Sequence, residues 1–173
     1  MEAKIINKVA ESGIVTLDLA EYYPKGEIII FDLQPYLFMG LILKEKDYRA
    51  ALVSTDWTKY ANKHVAINCT ADAIIPMWAY MLAVHYLQPI ADSVFYGTEQ
   101  ELINAFLNQE IAKINGEDYA DKRVVVKGCG DVSIPVSAYI SITAKLKPFV
   151  KSLMYGEPCS TVPIFKKGAT PKE

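Results

Sequence analysis

A chain of 173 residues is the size of one ordinary domain, long enough to bury a sizeable core, and a 51% hydrophobic content argues against disorder except at the ends. Its 18 basic and 20 acidic residues are interspersed and leave a formal net charge of −2. That balance carries no electrostatic footprint for nucleic acid or an anionic membrane, so polyanion partners are excluded from the expectation.

Taken in order, Met1 to about Gly13 reads as a short amphipathic helix without the charged-then-apolar pattern of a signal peptide, so a cytoplasmic location is expected. Glu27 to Leu33 and Leu37 to Leu43 read as an antiparallel strand pair with Pro35 in the turn between them. Lys44 to Ser54 is a charged helical connector, and Asp56-Trp57 begins a turn. Val65 to Asn68 is a short apolar strand, and Cys69 to Asp72 is the loop after it. A buried helix is expected from about Ala73, with Asp72 as N-cap and Pro76 in the first turn. The longest apolar run, Ala73 to Leu87, spans 15 residues with Pro76 and His85 inside it, which is short for a membrane span.

Ser93 to Tyr96 is the next strand. Thr98 and Glu101 form a capping box for a helix that stops before Gly116 and presents Ile103, Phe106, Leu107, Ile111 and Ile114 on one face. Val124 to Lys127 is a strand, Lys127 to Asp131 a glycine-flanked loop, and Ser133 to about Leu146 a helix. Leu153 to Tyr155 and Val162 to Phe165 are the last strands, and Lys166 to Glu173 is a solvated tail.

An internal correspondence organises this order. A shift of 59 residues lays 60–97 on 119–156 without a gap and with 14 identities in 38 positions, among them Asp72 on Asp131, Ile75-Pro76 on Ile134-Pro135, Tyr80 on Tyr139 and Tyr96-Gly97 on Tyr155-Gly156. Composition alone gives roughly two or three, so the chain reads as two copies of one strand-helix-strand unit. The expected fold is α/β: a three-layer single domain with a largely parallel sheet, plus the antiparallel pair near the N-terminus.

Open α/β sheets hold ligands at the carboxyl ends of their strands, and all three cysteines, Cys69, Cys129 and Cys159, fall in loops that follow strands. Free cysteine is commonly a small buried hydrophobe. Against that, Cys129 sits between two glycines, and Cys69 and Cys129 precede expected helix N-termini, where thiolate is favoured. Three thiolates suit an iron–sulfur cluster with one iron left open, or a zinc ion with a fourth ligand. Asp72, Asp131, His64 and His85 are the candidates for that fourth position. The aspartates read more simply as helix caps, and the histidines as surface or core residues.

Two other readings stand beside the metal site. One is an interaction or adaptor protein with incidental cysteines and no cofactor. The other is an enzyme that uses a reactive thiol, or that binds an anion in the Lys127 to Asp131 loop. Tyr22-Tyr23, Trp57 and the strand pair at Glu27 to Leu43 are candidates for a homodimer interface. Trp78, Tyr80, Tyr139, Tyr96 and Tyr155 read as core, and Ser93 and Ser152 as residues satisfying strand-end backbone groups.

Three stretches carry a resemblance: Cys-x-Ala-Asp-Ala-Ile-x-Pro-x-Trp-Ala-Tyr (Cys69 to Tyr80), Val-Val-Val-Lys-Gly-Cys-Gly (Val124 to Gly130) and Met-Tyr-Gly-Glu-Pro-Cys-Ser-Thr-Val-Pro (Met154 to Pro163), together with Leu-Lys-Glu-Lys-Asp (Leu43 to Asp47). With these the chain resembles, over nearly its whole length, a bacterial family of uncharacterised proteins, domain-of-unknown-function family 2480. The resemblance brings no activity, catalytic residue or cofactor. Relatives are often encoded near components of the sulfur-mobilisation pathway that assembles iron–sulfur clusters, so it implies iron–sulfur assembly proteins as partners and adds weight to the three-cysteine reading.

Overall fold

A computed structural model describes residues 13–128, 130–157 and 159–168. The expected N-terminal helix, Cys129 and the end of the tail lie outside the described residues. The chain forms two compact units: Pro24–Ala105, and the chain up to Tyr23 together with the chain from Phe106 onward. The architecture is α/β with mostly parallel pairing, and the parallel strands divide between two sheets, one per unit.

In the Pro24–Ala105 unit, β2 (Ile28–Asp32), β5 (His64–Asn68) and β6 (Ser93–Tyr96) form a parallel sheet in the order β2-β5-β6. The central strand β5 is buried from His64 to Ile67, as a strand covered on both faces should be. The antiparallel pairing is narrower than expected. It is a hairpin of β3 (Leu37–Phe38) and β4 (Ile42–Leu43), turned through Met39 and Gly40 at positive φ. The stretch expected to pair with it became β2, which lies parallel to β5 instead. Burying Phe31 at the centre of an aromatic cluster explains the choice: its ring stacks at 5.6 Å on Tyr36 and 5.5 Å on Trp57 and meets Tyr60 edge-on at 5.6 Å.

Helix α1 (Glu45–Ser54) carries Tyr48 and Leu52 into the same core, and the Tyr48 hydroxyl donates to the Ala79 carbonyl at 3.2 Å. Burial, then the Tyr36 ring, pushes the Tyr48 phenol well above its ordinary range. Helix α2 (Met77–Leu87) buries Ala79, Ala83 and Leu87. It begins four residues after Ala73, where it was expected to start, because Ile75 precedes a proline and is steered away from helical backbone. Asp72 is therefore exposed in the preceding loop and caps nothing.

The second unit has its own largely parallel sheet. β1 (Ile14–Asp18), β7 (Arg123–Lys127) and β8 (Ser152–Glu157) are parallel, with β9 (Ser160–Lys166) added antiparallel in the order β1-β7-β8-β9. Helix α4 (Val136–Leu146) follows Pro135 and buries Ala138, Ile142 and Leu146, the counterparts of Ala79, Ala83 and Leu87 at the 59-residue offset. Asp131 is exposed and, like Asp72, caps no helix.

Helix α3 (Glu99–Lys113) carries the chain from one unit to the other. Its start is the expected capping box: the Thr98 N–H donates to Glu101 Oε2 at 2.7 Å, and the Glu101 N–H donates to Thr98 Oγ1 at 3.3 Å. Gly97 makes this possible, because a Cβ there would sit 2.5 Å from that carboxylate oxygen.

Candidate functional site at the carboxyl ends of the parallel strands

In each unit two neighbouring strands end in a polar pair. β1 and β7 end in Asp18 and Lys127, and β2 and β5 end in Asp32 and Asn68, each pair in register. The strand β1 was not expected from the sequence. A signal for it exists: shifting the chain by 14 residues lays Leu17, Asp18, Leu19 and Tyr22 on Phe31, Asp32, Leu33 and Tyr36. Both aspartates accept a backbone N–H two residues on, Asp18 from Ala20 at 3.0 Å and Asp32 from Gln34 at 2.9 Å.

In the Pro24–Ala105 unit Asp32 organises the edge. Its Oδ1 also accepts from the Thr70 N–H at 3.0 Å, and its Oδ2 accepts from the Thr70 hydroxyl at 2.6 Å. Burial pushes its carboxyl up. The bonds from the Thr70 hydroxyl and from the Gln34 and Thr70 N–H groups outweigh that and hold it below the usual carboxylate range. Asp32 thus ties the loop after β5, which contains Cys69, to the end of β2. Cys69 is half-buried and its thiol points to the Ala71 carbonyl, 3.6 Å away. Tyr80 stands beside it; burial first, then Tyr96 and Cys69, raise the Tyr80 phenol. The side-chain oxygen of Asn68 is buried without a hydrogen-bond partner among the described residues.

In the other unit Lys127 takes the Asn68 position. Its ammonium lies 3.0 Å from Asp18 Oδ2 and 3.9 Å from Glu157 Oε1, so its charge is compensated on two sides. An anion cradled by this loop would compete with both carboxylates. Gly128 is required by close approach, since a Cβ there would lie 2.3 Å from the Tyr139 hydroxyl. Cys159 is exposed in the turn between β8 and β9, next to the Glu157–Ser160 register pair. Asp131 lies in the loop after β7.

Both histidines are accounted for as residues of the fold. His64 is buried at the start of β5, the end away from Cys69. Its Nδ1 pairs with Ser93 Oγ at 2.7 Å and its Nε2 with the Lys25 carbonyl at 2.9 Å. The carbonyl can only accept, so Nε2 carries a proton. His85 is exposed and packs edge-on against Tyr86. Trp57, a candidate for a dimer face, is instead stacked on Phe31 and on Tyr86 at 5.0 Å, with its indole N–H donating to the Leu52 carbonyl. Tyr96 and Tyr155 are not core residues. They are 72% and 42% exposed, each edge-on to the tyrosine of its own helix, Tyr80 and Tyr139.

Among the described residues no three His, Cys, Asp or Glu side chains gather as a metal-holding group. Of the three cysteines, Cys69 is half-buried in the Pro24–Ala105 unit, Cys159 is exposed in the other unit, and Cys129 lies outside the described residues. Thiolates are ligands that iron–sulfur clusters and zinc take readily. Among the described residues no helix is long and apolar enough to cross a membrane.

The model of a family described as "Protein of unknown function (DUF2480)" matches residues 3–167. No curated protein and no solved structure matches the chain significantly.

Proposed function

We propose that this chain, which belongs to the DUF2480 family of proteins of unknown function, is a metal or iron–sulfur protein whose ligands are Cys69, Cys129 and Cys159. The observation that carries the reading is the placement of the two described thiols. Cys69 directly follows the last residue of β5 and Cys159 follows the end of β8, on the strand ends where open α/β sheets bind their ligands. In sequence, Cys129 comes two positions after Lys127, the last residue of β7.

Three cysteine ligands would leave one iron of a cluster open to an electron, a substrate or a receiving protein. The chain's own contribution is to hold the loops. Asp32 fixes the Cys69 loop through Thr70, and the Asp18–Lys127–Glu157 group fixes the strand ends that precede the other two cysteines in sequence. The cluster reading makes iron–sulfur assembly proteins the partners to test first. A cytoplasmic location goes with this reading, since free thiols persist there. The compensated charge of Lys127 weighs against the anion-binding alternative.

The test is anaerobic purification followed by an absorption spectrum and by iron, zinc and acid-labile sulfide analysis. The wild type is compared with Cys69→Ser, Cys129→Ser and Cys159→Ser. Broad visible absorption that each substitution diminishes establishes a cluster; stoichiometric zinc lost in the same variants establishes a zinc site. A colourless, metal-free protein after reconstitution with iron and sulfide overturns both.

A further inference from the structure

We infer that the exposed face of α2 is a self-association surface that pairs two copies of this chain. The helix reads Met-Trp-Ala-Tyr-Met-Leu-Ala-Val-His-Tyr-Leu and is apolar nearly all round, yet it buries only the row Ala79, Ala83 and Leu87. On the opposite side Met77, Met81 and Val84 stand at i, i+4 and i+7 and are 73%, 71% and 38% exposed. Ile74, in the loop that enters the helix, is 94% exposed, and Tyr96 at the end of β6 is 72% exposed. Met77, Tyr80, Met81 and Tyr96 line a groove of about 500 Å³.

Area and charge together select the occupant. Fully exposed side chains of this size present roughly 150–200 Å² each, so at their fractional exposures these five residues present about 500–700 Å² of mainly apolar surface. That lies at the upper end of the ~300–600 Å² patch of an ordinary monomer and approaches the ~800 Å² per partner of a standard interface. A two-fold interface sets each patch against itself, so any charge on it meets its own copy and repels. Helix α2 contains no Lys, Arg, Asp or Glu, and neither does the groove lining. It is self-complementary in the only way an apolar patch can be, and methionines, which adapt their shape, fill the facing groove.

The corresponding stripe of α4 differs. Val136 and Ile140 are exposed, but Thr143 takes the place of Val84, and Lys145 and Lys147 follow at its end. That stripe is the internal control.

The experiment is sedimentation equilibrium of the purified full-length chain across micromolar concentrations, for wild type, Met81→Glu, Met77→Glu and Ile140→Glu. Circular dichroism and thermal melting of each protein verify folding, which substitution at such exposed positions leaves intact. The expected result is a wild-type particle of twice the 19.3 kDa chain mass. Met81→Glu and Met77→Glu are expected to weaken it at least a hundredfold, because each buries two like charges, and Ile140→Glu to leave it unchanged. A monomeric wild type at 100-fold higher concentration overturns the proposal and assigns the face to another protein. So does a dimer that survives both methionine substitutions, or one that only Ile140→Glu dissociates.

Discussion

The Lys127 ammonium lies 3.0 Å from the carboxylate of Asp18, its register partner on the neighbouring strand. At the same place in the other unit, Asp32 faces Asn68 and turns to the Thr70 hydroxyl instead. Two strand-end frames of the same plan thus carry different polar chemistry, one closed by a cation and the other by a loop hydroxyl.

Breaking the first frame leaves a partly buried charge without its partner. Lys127→Met is expected to destabilise the protein by about 1–2 kcal/mol, and Asp18→Asn by a similar amount. The double variant should cost less than the sum, which urea unfolding in a double-mutant cycle reads directly.

Removing the Thr70 hydroxyl tests the second frame through pH. The Asp32 carboxyl sits below its ordinary range in the folded protein. Its contribution is therefore present above the unfolded value, about 3.9, and is lost as pH falls through the folded value. Thr70→Val is expected to cost about 1 kcal/mol at pH 7, and the gap to wild type should close below about pH 4. A gap independent of pH between 3 and 7 would assign the loss to packing alone.

At Gly128 the neighbour is a hydroxyl oxygen, 2.3 Å from where a Cβ would stand. Gly128→Ala should cost about 1–3 kcal/mol. Tyr139→Phe removes that oxygen and should recover part of the loss in the double variant, the ring carbon at 3.1 Å accounting for the rest. Thermal melts of the four proteins decide it.

Cysteine accessibility gives a chemical check. In metal-free Cys129→Ser protein, the exposed Cys159 is expected to alkylate several-fold faster than the half-buried Cys69, as read by peptide mass mapping over time. In wild-type protein, loading with metal or cluster should slow both.

His64 tests the far end of β5. His64→Ala removes partners from Ser93 and from the Lys25 carbonyl inside a buried site. It should cost about 1–3 kcal/mol in denaturant unfolding while leaving metal content at the wild-type level. A loss of metal at retained stability would return this histidine to the list of ligands.

Local chemistry was legible in the sequence wherever a short-range rule acts alone. The Thr98–Glu101 capping box, the turn at Asp56, the strands at Ser93–Tyr96 and Val124–Lys127 and the end of α3 before Gly116 all depend on neighbours within a few residues. At the 59-residue offset β5, α2 and β6 correspond in position to β7, α4 and β8.

What the tertiary structure decided is which strands lie together and which faces are left open. Nothing local says that Ile28–Asp32 pairs with a strand more than thirty residues on rather than with its neighbour; burial of Phe31 in the ring of Tyr36, Trp57 and Tyr60 decides that. Apolar periodicity marks α2 as a helix to be buried. Only packing shows that it buries the row of Ala79, Ala83 and Leu87 and leaves its methionines in the open, because hydrophobicity drives burial without specifying the partner that supplies it.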